Sequence, residues 1–353
     1  MVDRPFSMPV YVIFRMHSRA VRFIVLLLCL SSLLVHEVRA QRIDVRAQEY
    51  HLTFVAYNVE NLFDTIPSGL YSDQDFTPAG AYRWTSRRYW RKLRKLSQVI
   101  MAVDTVHPAD IIALEEIESD TVMRDLLEHT PLRALGYRYV KTNSPDARGV
   151  NIALVYNPLQ YRLMGKDTLR LVDQTVRTRD VLHTWGTLPM GDTLHVYAVH
   201  LPSQLGGSKA RKVRKRLLAQ MAQHVRQALA STTRTHAVIM GDFNASPYSA
   251  DIRNFLKDLP GFVNLSDGRP LGSYRYRGRW DWIDQVIVSP SLVRPEGGAH
   301  VCPPLSQALM HPYLLQPDKA YGGFKPRRTF LGHFYEGGTS DHLPVFIRVA
   351  YAL

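Results

Sequence analysis

Acidic and amide side chains stand directly after a short apolar run in the second half of this 353-residue chain. The run ends at Met240 and is followed by Gly241-Asp242-Phe243-Asn244, which places a carboxylate and an amide two residues apart on one side of the chain. The carboxylate could orient or deprotonate a water molecule, and the amide could hold a phosphate oxygen without adding negative charge. Taken alone, the same residues are better explained as an Asx turn that caps a helix.

Two other apolar runs end in the same kind of side chain. Asn58 and Glu60 share one face at the end of the first run, and a later run ends in Glu115 and Glu116. Carboxylates are rarely buried unless they are paired or bind a metal ion, so two acids after a buried run need an explanation. For Glu115, simple solvation at the end of a strand is as good an explanation as a functional role, whereas for Glu116 it is the weaker explanation.

Histidines occupy two similar positions. His200 ends the run from Leu194, where a lone histidine is more often structural than catalytic. Asp341 and His342 stand side by side before the last apolar run, and His342 could act as a general base if a second carboxylate oriented its ring. Asp284, at the start of another apolar run, offers such a carboxylate.

The elements that must position these residues can be read from the apolar periodicity. The pattern predicts helices at 86–106, around 120–129 and at 208–230, and strands at 52–59, 110–114, 137–141, 151–156, 179–185, 194–200, 236–240, 283–289 and 345–349. Because strands outnumber helices, we expect mixed or antiparallel sheets that helices cover on one face. The segment 290–335 is rich in Pro and Gly, and we interpret it as a long excursion within one domain.

The order of these motifs resembles the endonuclease/exonuclease/phosphatase superfamily, whose fold is that of deoxyribonuclease I. The resemblance covers residues 51–351, and its most specific parts are Gly241–Asn244 and Ser340–Pro344. It implies an α/β (α+β) fold, a four-layer sandwich of two mixed β-sheets flanked by helices. It also implies a divalent-metal-dependent phosphodiesterase that works by in-line attack of water.

The resemblance implies a metal site around one acid. Glu116 matches the principal ligand for Mg²⁺ or Mn²⁺, with Ca²⁺ as a further possibility, and Asn58 and Asp341 match additional positions on the metal side. The residue before the metal-binding acid is often Gln in this superfamily, but here it is Glu115. The choice between the two acids therefore stays open, with Glu116 preferred by register.

The resemblance also assigns roles in the reaction. Asp242 would align or activate the attacking water, and Asn244 would hold a phosphate oxygen. His342, oriented by Asp284, would bind the phosphate or act as a base. His200 matches the general acid that protonates the leaving oxygen.

Charge and aromatic content bear on the substrate. The chain carries 44 basic and 31 acidic residues, a formal charge of +13, which suits an anionic partner. Aromatic and basic residues are mixed at 84–95, and 209–216 is a second basic run; both suit a nucleic-acid groove, although 209–216 fits a solvated helix face as well. Arg148 and Arg179 stand where superfamily members often present basic residues to phosphate.

The favoured prediction is an exported nuclease that cleaves nucleic acid. A phospholipid or small-phosphoester hydrolase, such as a sphingomyelinase or a phosphatase, is the alternative, and we find no hydrophobic hairpin typical of membrane insertion. A non-catalytic binding module is the third reading, but none of the main site residues is missing. No protein partner is implied, and a monomer is expected.

The N-terminal residues predict export. Arg15, Arg19 and Arg22 precede an apolar run of 13 residues, which is too short for a bilayer span, and Val38-Arg39-Ala40 offers a cleavage site. We expect residues 1–40 to be a signal peptide and 41–353 the enzyme domain, periplasmic or secreted and without a stable membrane span. An uncleaved membrane anchor is the alternative. Removing five arginines and two acids with the signal leaves a charge of +10 and one cysteine, Cys302, so no intrachain disulfide can form.

Overall fold

The computed structural model describes residues 50–69, 71–104, 107–171, 176–230, 234–266, 271–294 and 298–352. These residues belong to the unit Glu49–Leu353. The predicted signal peptide falls in the other unit, Met1–Gln48, and lies outside the described residues. Among the residues described, no helix has the length and apolar character that crossing a bilayer requires.

The described residues form four α-helices and two large β-sheets. The helices are α1 (Ser86–Ala102), α2 (Asp120–Glu128), α3 (Gly207–Leu229) and α4 (Ala250–Lys257). The strands are β1 (Tyr50–Leu62), β2 (Ile111–Ile117), β3 (Arg138–Lys141), β4 (Asn151–Tyr156), β5 (Arg162–Leu169), β6 (Val181–Thr187), β7 (Thr193–His200), β8 (Thr235–Asp242), β9 (Val263–Asn264), β10 (Tyr274–Tyr276), β11 (Arg279–Asp281), β12 (Asp284–Val288), β13 (His300–Val301), β14 (Gln307–Ala308), β15 (Leu315–Pro317), β16 (Phe324–Pro326), β17 (Phe330–Leu331), β18 (Phe334–Tyr335) and β19 (Val345–Tyr351).

Both large sheets are mixed. Sheet A has the order β13-β19-β1-β2-β4-β3, with β14 also on β19, and sheet B has the order β5-β6-β7-β8-β12-β9. Within sheet A, β1 and β2 are parallel, and within sheet B, β7 and β8 are parallel, whereas the other large pairings are antiparallel. Three two-stranded hairpins, β10-β11, β15-β16 and β17-β18, stand beside the sheets.

The alternation of side chains along each strand builds the layers. In β1, Phe54 and Ala56 pack in the core between the sheets, while Tyr57 faces the core under α1 and α2. In β7, Ala198 faces the core between the sheets, and Val199 packs under α3 and α4. The protein is thus a helix–sheet–sheet–helix sandwich, and the predicted fold is confirmed.

The predicted helices and strands are present, with ends shifted by a few residues. The sequence did not reveal β5, a half-exposed edge strand with little apolar contrast, or α4, which has only eight residues. The predicted excursion at 290–335 contains the short strands β13 to β18. Short strands bury too few residues to leave a periodic pattern.

The topology brings the polar strand ends together. Because β1 runs parallel to β2, Asn58 pairs with Glu115 in the register of their carboxyl ends. His200 pairs in the same way with Asp242 across β7 and β8. The antiparallel strand β12 begins where β8 ends, so Asp284 lies opposite Asp242.

Candidate active site

Backbone strain is concentrated at these strand ends. The pairing of β1 with β2 is irregular after Asn58, and that of β2 with β4 is irregular after Glu115. Glu60, Glu116 and Asn244 have φ angles of 52°, 67° and 48°, in the left-handed region that non-glycine residues seldom adopt. Bulges and strained residues of this kind re-aim side chains and cluster at functional sites, so the local backbone turns these groups toward one place.

Asp242 is the centre of a hydrogen-bond network. Its Oδ2 accepts from the amides of Asn58 at 3.1 Å and Asn244 at 3.0 Å, and its Oδ1 accepts from the backbone N–H of Asn244 at 2.8 Å. Burial raises the pKa of Asp242 to about 7, and nearby Asp284 adds to the effect. A carboxylate poised near neutral pH is suited to accept a proton.

The expected contact of Asn244 with a phosphate oxygen is not supported. The second amide hydrogen of Asn244 goes to the backbone carbonyl of Leu201 at 2.9 Å, so both hydrogens are already donated within the protein. Asn244 therefore orients Asp242 and fixes the exit of β7. Asn58 donates one amide hydrogen to Asp242, and its backbone carbonyl accepts from the hydroxyl of Ser340 at 2.6 Å.

The two neighbouring acids of β2 occupy different environments. Glu115 is fully buried, and its carboxylate oxygens have no hydrogen-bond partner among the described residues. Burial, together with Asp284 and Asp242, raises the pKa of Glu115 well above its ordinary value, so this side chain is neutral.

Glu116 has a left-handed backbone conformation, which turns its side chain away from that of Glu115 and toward Arg148. Burial raises its pKa, but Arg148, the backbone N–H of Asn61 and Arg179 outweigh burial and lower it. Its Oε2 accepts from Asn61 N at 2.7 Å, and its Oε1 lies 3.3 Å from Arg148 and 3.7 Å from Nε2 of His200. Glu116 is therefore the ionised acid of the pair, as a metal ligand must be.

His342 and Asp284 form the hydrogen-bonded pair that the sequence predicts. Nδ1 of His342 lies 2.8 Å from Oδ2 of Asp284, which also accepts from the hydroxyl of Ser273 at 2.5 Å. Burial alone would lower the pKa of His342, but Asp284 outweighs burial and raises it well above the ordinary value. His342 is consequently an imidazolium at neutral pH, which suits the phosphate-binding role better than that of a base.

His200 lies where the sequence predicts but in an environment that disfavours its charge. Its Nε2 is 3.7 Å from both Glu116 and Asp242. Burial, followed by Arg179 and Arg148, lowers the pKa of His200 well below the ordinary value. The ring is therefore neutral, and the expected role as a protonated general acid conflicts with this environment; a neutral ring can still donate a hydrogen bond.

The two predicted phosphate-binding arginines differ. Arg148 is 43% exposed and contacts Glu116 and Asp146 at the edge of the cluster. Arg179 is 11% exposed and donates to the backbone carbonyls of His200 and Leu201 and to Asp146. Arg179 thus braces the strand end beneath His200, and only Arg148 remains placed to meet a substrate.

Asp341 lies beside an arginine that the sequence analysis missed. Arg328 pairs with Asp341 at 3.1 Å and with Glu60 at 2.8 Å, and Glu60 also accepts from the backbone N–H of Thr329 at 2.6 Å. Buried Lys92 donates to the carbonyl of Glu60. These contacts tie the 328–329 segment to β1 and make Asp341 a partner of Arg328; its expected position on the metal side stays a prediction. Arg328 could have been suspected from the basic residues at 325–328.

Two of the three aromatic residues in the first basic run are unavailable for stacking, and the third, Trp90, is half-buried beside His129. Trp84 and Tyr89 are buried in the core under α1, so they cannot stack on bases. In the second basic run, Arg211, Arg214 and Lys215 converge on Asp251 of α4. Both basic runs contain residues that hold helices in place.

Two hairpins beside the site were also missed. In β10-β11, Tyr274 pairs with His342 and its ring centroid lies 4.9 Å from that of His342, while Tyr276 is exposed with Arg277 above its ring at 5.2 Å. The alternation in Tyr274-Arg275-Tyr276-Arg277-Gly278-Arg279-Trp280 could have revealed this hairpin.

In β17-β18, which directly follows Arg328 and Thr329, Leu331 and Phe334 are exposed. The sequence pattern did not reveal this hairpin, and the expectation that the chain lacks a hairpin for membrane insertion stays a prediction. The two exposed apolar residues of β17-β18 are separated by Gly332 and His333, which break up the apolar pattern in the sequence.

The residues present fit a divalent metal ion. The ionised carboxylate of Glu116 would supply the hard oxygen ligand that Mg²⁺ prefers, and the carboxylate of Asp242 lies on the other side of His200, whose Nε2 is 3.7 Å from both acids. Asp242, Asp284 and His342 also offer ligand atoms within 4.8 Å of one another. Their proximity is explained without a metal ion, because protonated His342 forms a hydrogen bond with Asp284.

The sequence model of the Endonuclease/Exonuclease/phosphatase family matches residues 53–351. No curated protein sequence matches the chain. Three similar solved structures have 15–19% identity, which is evidence for the fold alone.

An endonuclease/exonuclease/phosphatase family protein of Bacteroides thetaiotaomicron has 16% identity and a TM-score of 0.56, with 87% of this chain and 97% of that chain covered. The mannosyl-6-phosphatase of the same organism has 19% identity and a TM-score of 0.56, with 84% and 99% covered. TDP2 of D. rerio, complexed with a single-strand DNA product, has 15% identity and a TM-score of 0.54, with 85% and 98% covered.

Proposed function

The chain belongs to the endonuclease/exonuclease/phosphatase family and is a metal-dependent phosphoester hydrolase, and from this premise we propose that its substrate is the phosphodiester backbone of nucleic acid. The observation that carries the proposal is the Tyr–Arg hairpin β10-β11 beside His342. Exposed Tyr276 offers a face on which a base can stack, and exposed Arg277 and Arg279 offer charge to the backbone. Stacking on an aromatic side chain is worth roughly 1–3 kcal/mol per base.

The proposed roles follow from the environment of each side chain. Asp242 accepts the proton of the attacking water, and Asn58 and Asn244 hold its carboxylate in place. His342, an imidazolium oriented by Asp284, donates a hydrogen bond to a non-bridging phosphate oxygen. The neutral ring of His200 donates a hydrogen bond to the leaving oxygen.

Glu116 would hold Mg²⁺ or Mn²⁺, with Asn58 on the same side. The bound ion supplies positive charge that stabilises the oxygens on which charge develops during in-line displacement. Arg148, which already contacts Glu116, is placed to meet another phosphate oxygen. Arg328 keeps Asp341 and Glu60 together and shapes the opposite wall.

The test separates recognition of nucleic acid from phosphodiester chemistry. Wild type, Asp242→Ala and the double variant Tyr276→Ala/Arg277→Ala are assayed with Mg²⁺ or Mn²⁺ on single- and double-stranded DNA, on RNA and on bis-p-nitrophenyl phosphate. We expect wild type to cleave nucleic acid and Asp242→Ala to be inactive on every substrate. The hairpin variant should lose at least tenfold in kcat/KM on nucleic acid but retain turnover of the small diester, since it leaves the chemistry intact. Equal loss on both substrates, or no cleavage of nucleic acid by wild type, contradicts the proposal.

The second candidate is a phospholipid diesterase, which the apolar hairpin β17-β18 favours. Phe334 is 80% exposed and Leu331 is 48% exposed, directly after Arg328 and Thr329 of the site wall. Release of phosphocholine from sphingomyelin vesicles, abolished in Leu331→Ser/Phe334→Ser, would identify it. Turnover of sugar phosphates would instead point to a phosphatase such as the mannosyl-6-phosphatase neighbour.

Export remains part of the proposal. Residues 15–40 carry the pattern of a signal peptide, and we propose that a domain beginning at Gln41 is released into the periplasm or the medium. N-terminal sequencing of the protein recovered from each fraction tests this, and a chain that retains Arg39 in the membrane fraction contradicts it.

A further inference from the structure

A second group of potential ligands lies on the outer face of sheet B, away from the candidate active site. Asp167, His183 and Tyr197 stand directly opposite one another across β5, β6 and β7. His195 lies in the next row on the same face, since side chains two residues apart share a face. His224 of α3 contacts this row from above, with its ring centroid 4.8 Å from that of His183.

The group lines a cavity of about 420 Å³, whose walls include Met164 and Trp185. One potential ligand atom from each of Asp167, His183 and His224 lies within 4.8 Å of the others. Oδ2 of Asp167 is 3.7 Å from Nε2 of His224.

The buried imidazole of His183 is incompletely satisfied. His183 is 3% exposed, and its Nδ1 has no hydrogen-bond partner among the described residues. Burial, then His224 and His195, lowers the pKa of His183 to about 3, and burial also lowers the pKa of His195 and His224. Neutral imidazoles are the form in which histidine binds metals.

Other groups already orient these rings. Nε2 of His183 lies 2.9 Å from Nδ1 of His195, and Nδ1 of His224 lies 3.0 Å from the hydroxyl of Tyr197. The bonds leave Nδ1 of His183 and Nε2 of His224 for coordination. Metal-binding histidines characteristically use their second ring nitrogen in a hydrogen bond that fixes the tautomer and the ring orientation.

We propose that Asp167, His183 and His224 bind a divalent transition-metal ion of the zinc type. Two imidazoles and one carboxylate are a ligand set that Zn²⁺ accepts, with water in a fourth position. Bonds of about 2.0–2.1 Å place tetrahedral ligands about 3.3 Å apart, so the group closes around the ion by a movement on the order of 1 Å. Asp167 is 56% exposed on an edge strand and has the freedom to make that movement. The ion would join α3 to β5 and β6.

This site is distinct from the candidate active site. At about 3.3 Å per residue, His195 is roughly 16 Å along β7 from His200, at the other end of the strand. Its donors are mainly nitrogen, which favours Zn²⁺ over Mg²⁺, whereas the ligands around Glu116 are oxygen.

Zinc binding is measured by calorimetry on the full protein in a Glu116→Gln background, which weakens the other site. We expect one Zn²⁺ per chain in this background and a rise in Tm on saturation. His224→Gln and Asp167→Asn should each weaken the binding by about tenfold or more and reduce the rise in Tm. The exposed His129→Gln is the matched control and should change neither quantity.

X-ray absorption of the zinc-loaded protein should show two imidazoles in the background variant and fewer in His224→Gln. Asp167→Asn keeps the test decisive if His224→Gln fails to fold, since Asp167 lies on an exposed edge. Unchanged affinity in both ligand variants, or zinc without imidazole ligands, overturns the proposal. Because no step uses a substrate, the outcome does not depend on the proposed nuclease activity.

Discussion

The Asp284→Asn substitution tests the reasoning about charge in the site most directly. Asp284 lies 2.8 Å from Nδ1 of His342, and both side chains are buried. At an effective dielectric constant of about 20, two unit charges at that distance attract each other by about 6 kcal/mol, or about 4 pKa units as an upper bound. Asparagine keeps the shape of the side chain and loses this attraction.

We therefore expect the pKa of His342 to fall below neutrality in Asp284→Asn, because burial is then opposed by fewer charges. At pH 7.5 the ring loses the proton that it would donate to phosphate. The expected loss is on the order of 10²–10³ in kcat, the range found when one preorganised donor is removed. The pH optimum of the remaining activity should move to lower pH, because His342 must be protonated, and protonation of the base Asp242 should limit the activity on the acid side.

Imidazole NMR of the metal-free protein measures the titration of His342, and bis-p-nitrophenyl phosphate measures kcat. Asp192→Asn is the matched control, because Asp192 pairs with buried His236 at 3.1 Å at the opposite end of β8. It should leave kcat unchanged. A His342 that remains protonated at pH 7.5 in Asp284→Asn, or an unchanged kcat, refutes the electrostatic argument.

Three more predictions concern charge and packing. Glu115→Gln should keep the affinity for Mg²⁺ and change the free energy of unfolding by less than about 1 kcal/mol, because Glu115 is already neutral, whereas Glu116→Gln should weaken Mg²⁺ binding by on the order of 100-fold. Calorimetry measures both affinities, and a larger loss of Mg²⁺ affinity in Glu115→Gln than in Glu116→Gln would contradict the assignment of Glu116 as the ionised acid. Burial raises the pKa of Asp110 from 3.8 to about 6, so this group stabilises the fold at low pH and loses that contribution, at most about 3 kcal/mol, as pH rises from about 4 to above 6. Denaturant unfolding across that range should show the loss in wild type and not in Asp110→Asn, and equal pH profiles would contradict it. Gly241→Ala should destabilise the protein by at least about 3 kcal/mol, because the residue has a φ of +133° and an added Cβ would lie 2.1 Å from a backbone carbonyl of β7. Gly136→Ala is the control: its φ is +64°, an added Cβ would meet no atom, and the substitution should cost about 1 kcal/mol. Equal losses of Tm in the two variants would refute the steric argument.

Much of the site could be predicted because its residues end apolar strands. Asn58, Asp242 and His342 each stand next to a buried run, so their type and position were visible without a structure. The pairing of His342 with Asp284 was also predicted, because Asp284 offers a carboxylate at the start of an apolar run and the family resemblance assigns it to orient His342.

The sequence-based expectations changed where at least one partner of a side chain lies outside its own segment. Asn244 was expected to meet phosphate, but its amide is used by Asp242 and Leu201. Trp84 was expected on a binding surface, but it is buried in the core and donates to the backbone carbonyl of Phe63. A pattern within one segment shows the type of residue and not which neighbours use its hydrogen bonds or cover its surface.

By itself, the sequence determined the layered α/β fold and the set of polar strand ends, because alternating burial and abrupt polar residues are local properties of the chain. Only the tertiary structure decided which acid is ionised. Glu115 and Glu116 are adjacent and chemically identical, but the left-handed turn at Glu116 directs its carboxylate toward Arg148, while Glu115 is buried beside Asp242 and Asp284. Protonation depends on the charges and solvent within a few ångströms. These come from other segments of the chain, such as Arg148 beside Glu116 and the strands of sheet B that carry Asp242 and Asp284 beside Glu115, so the sequence alone could not assign it.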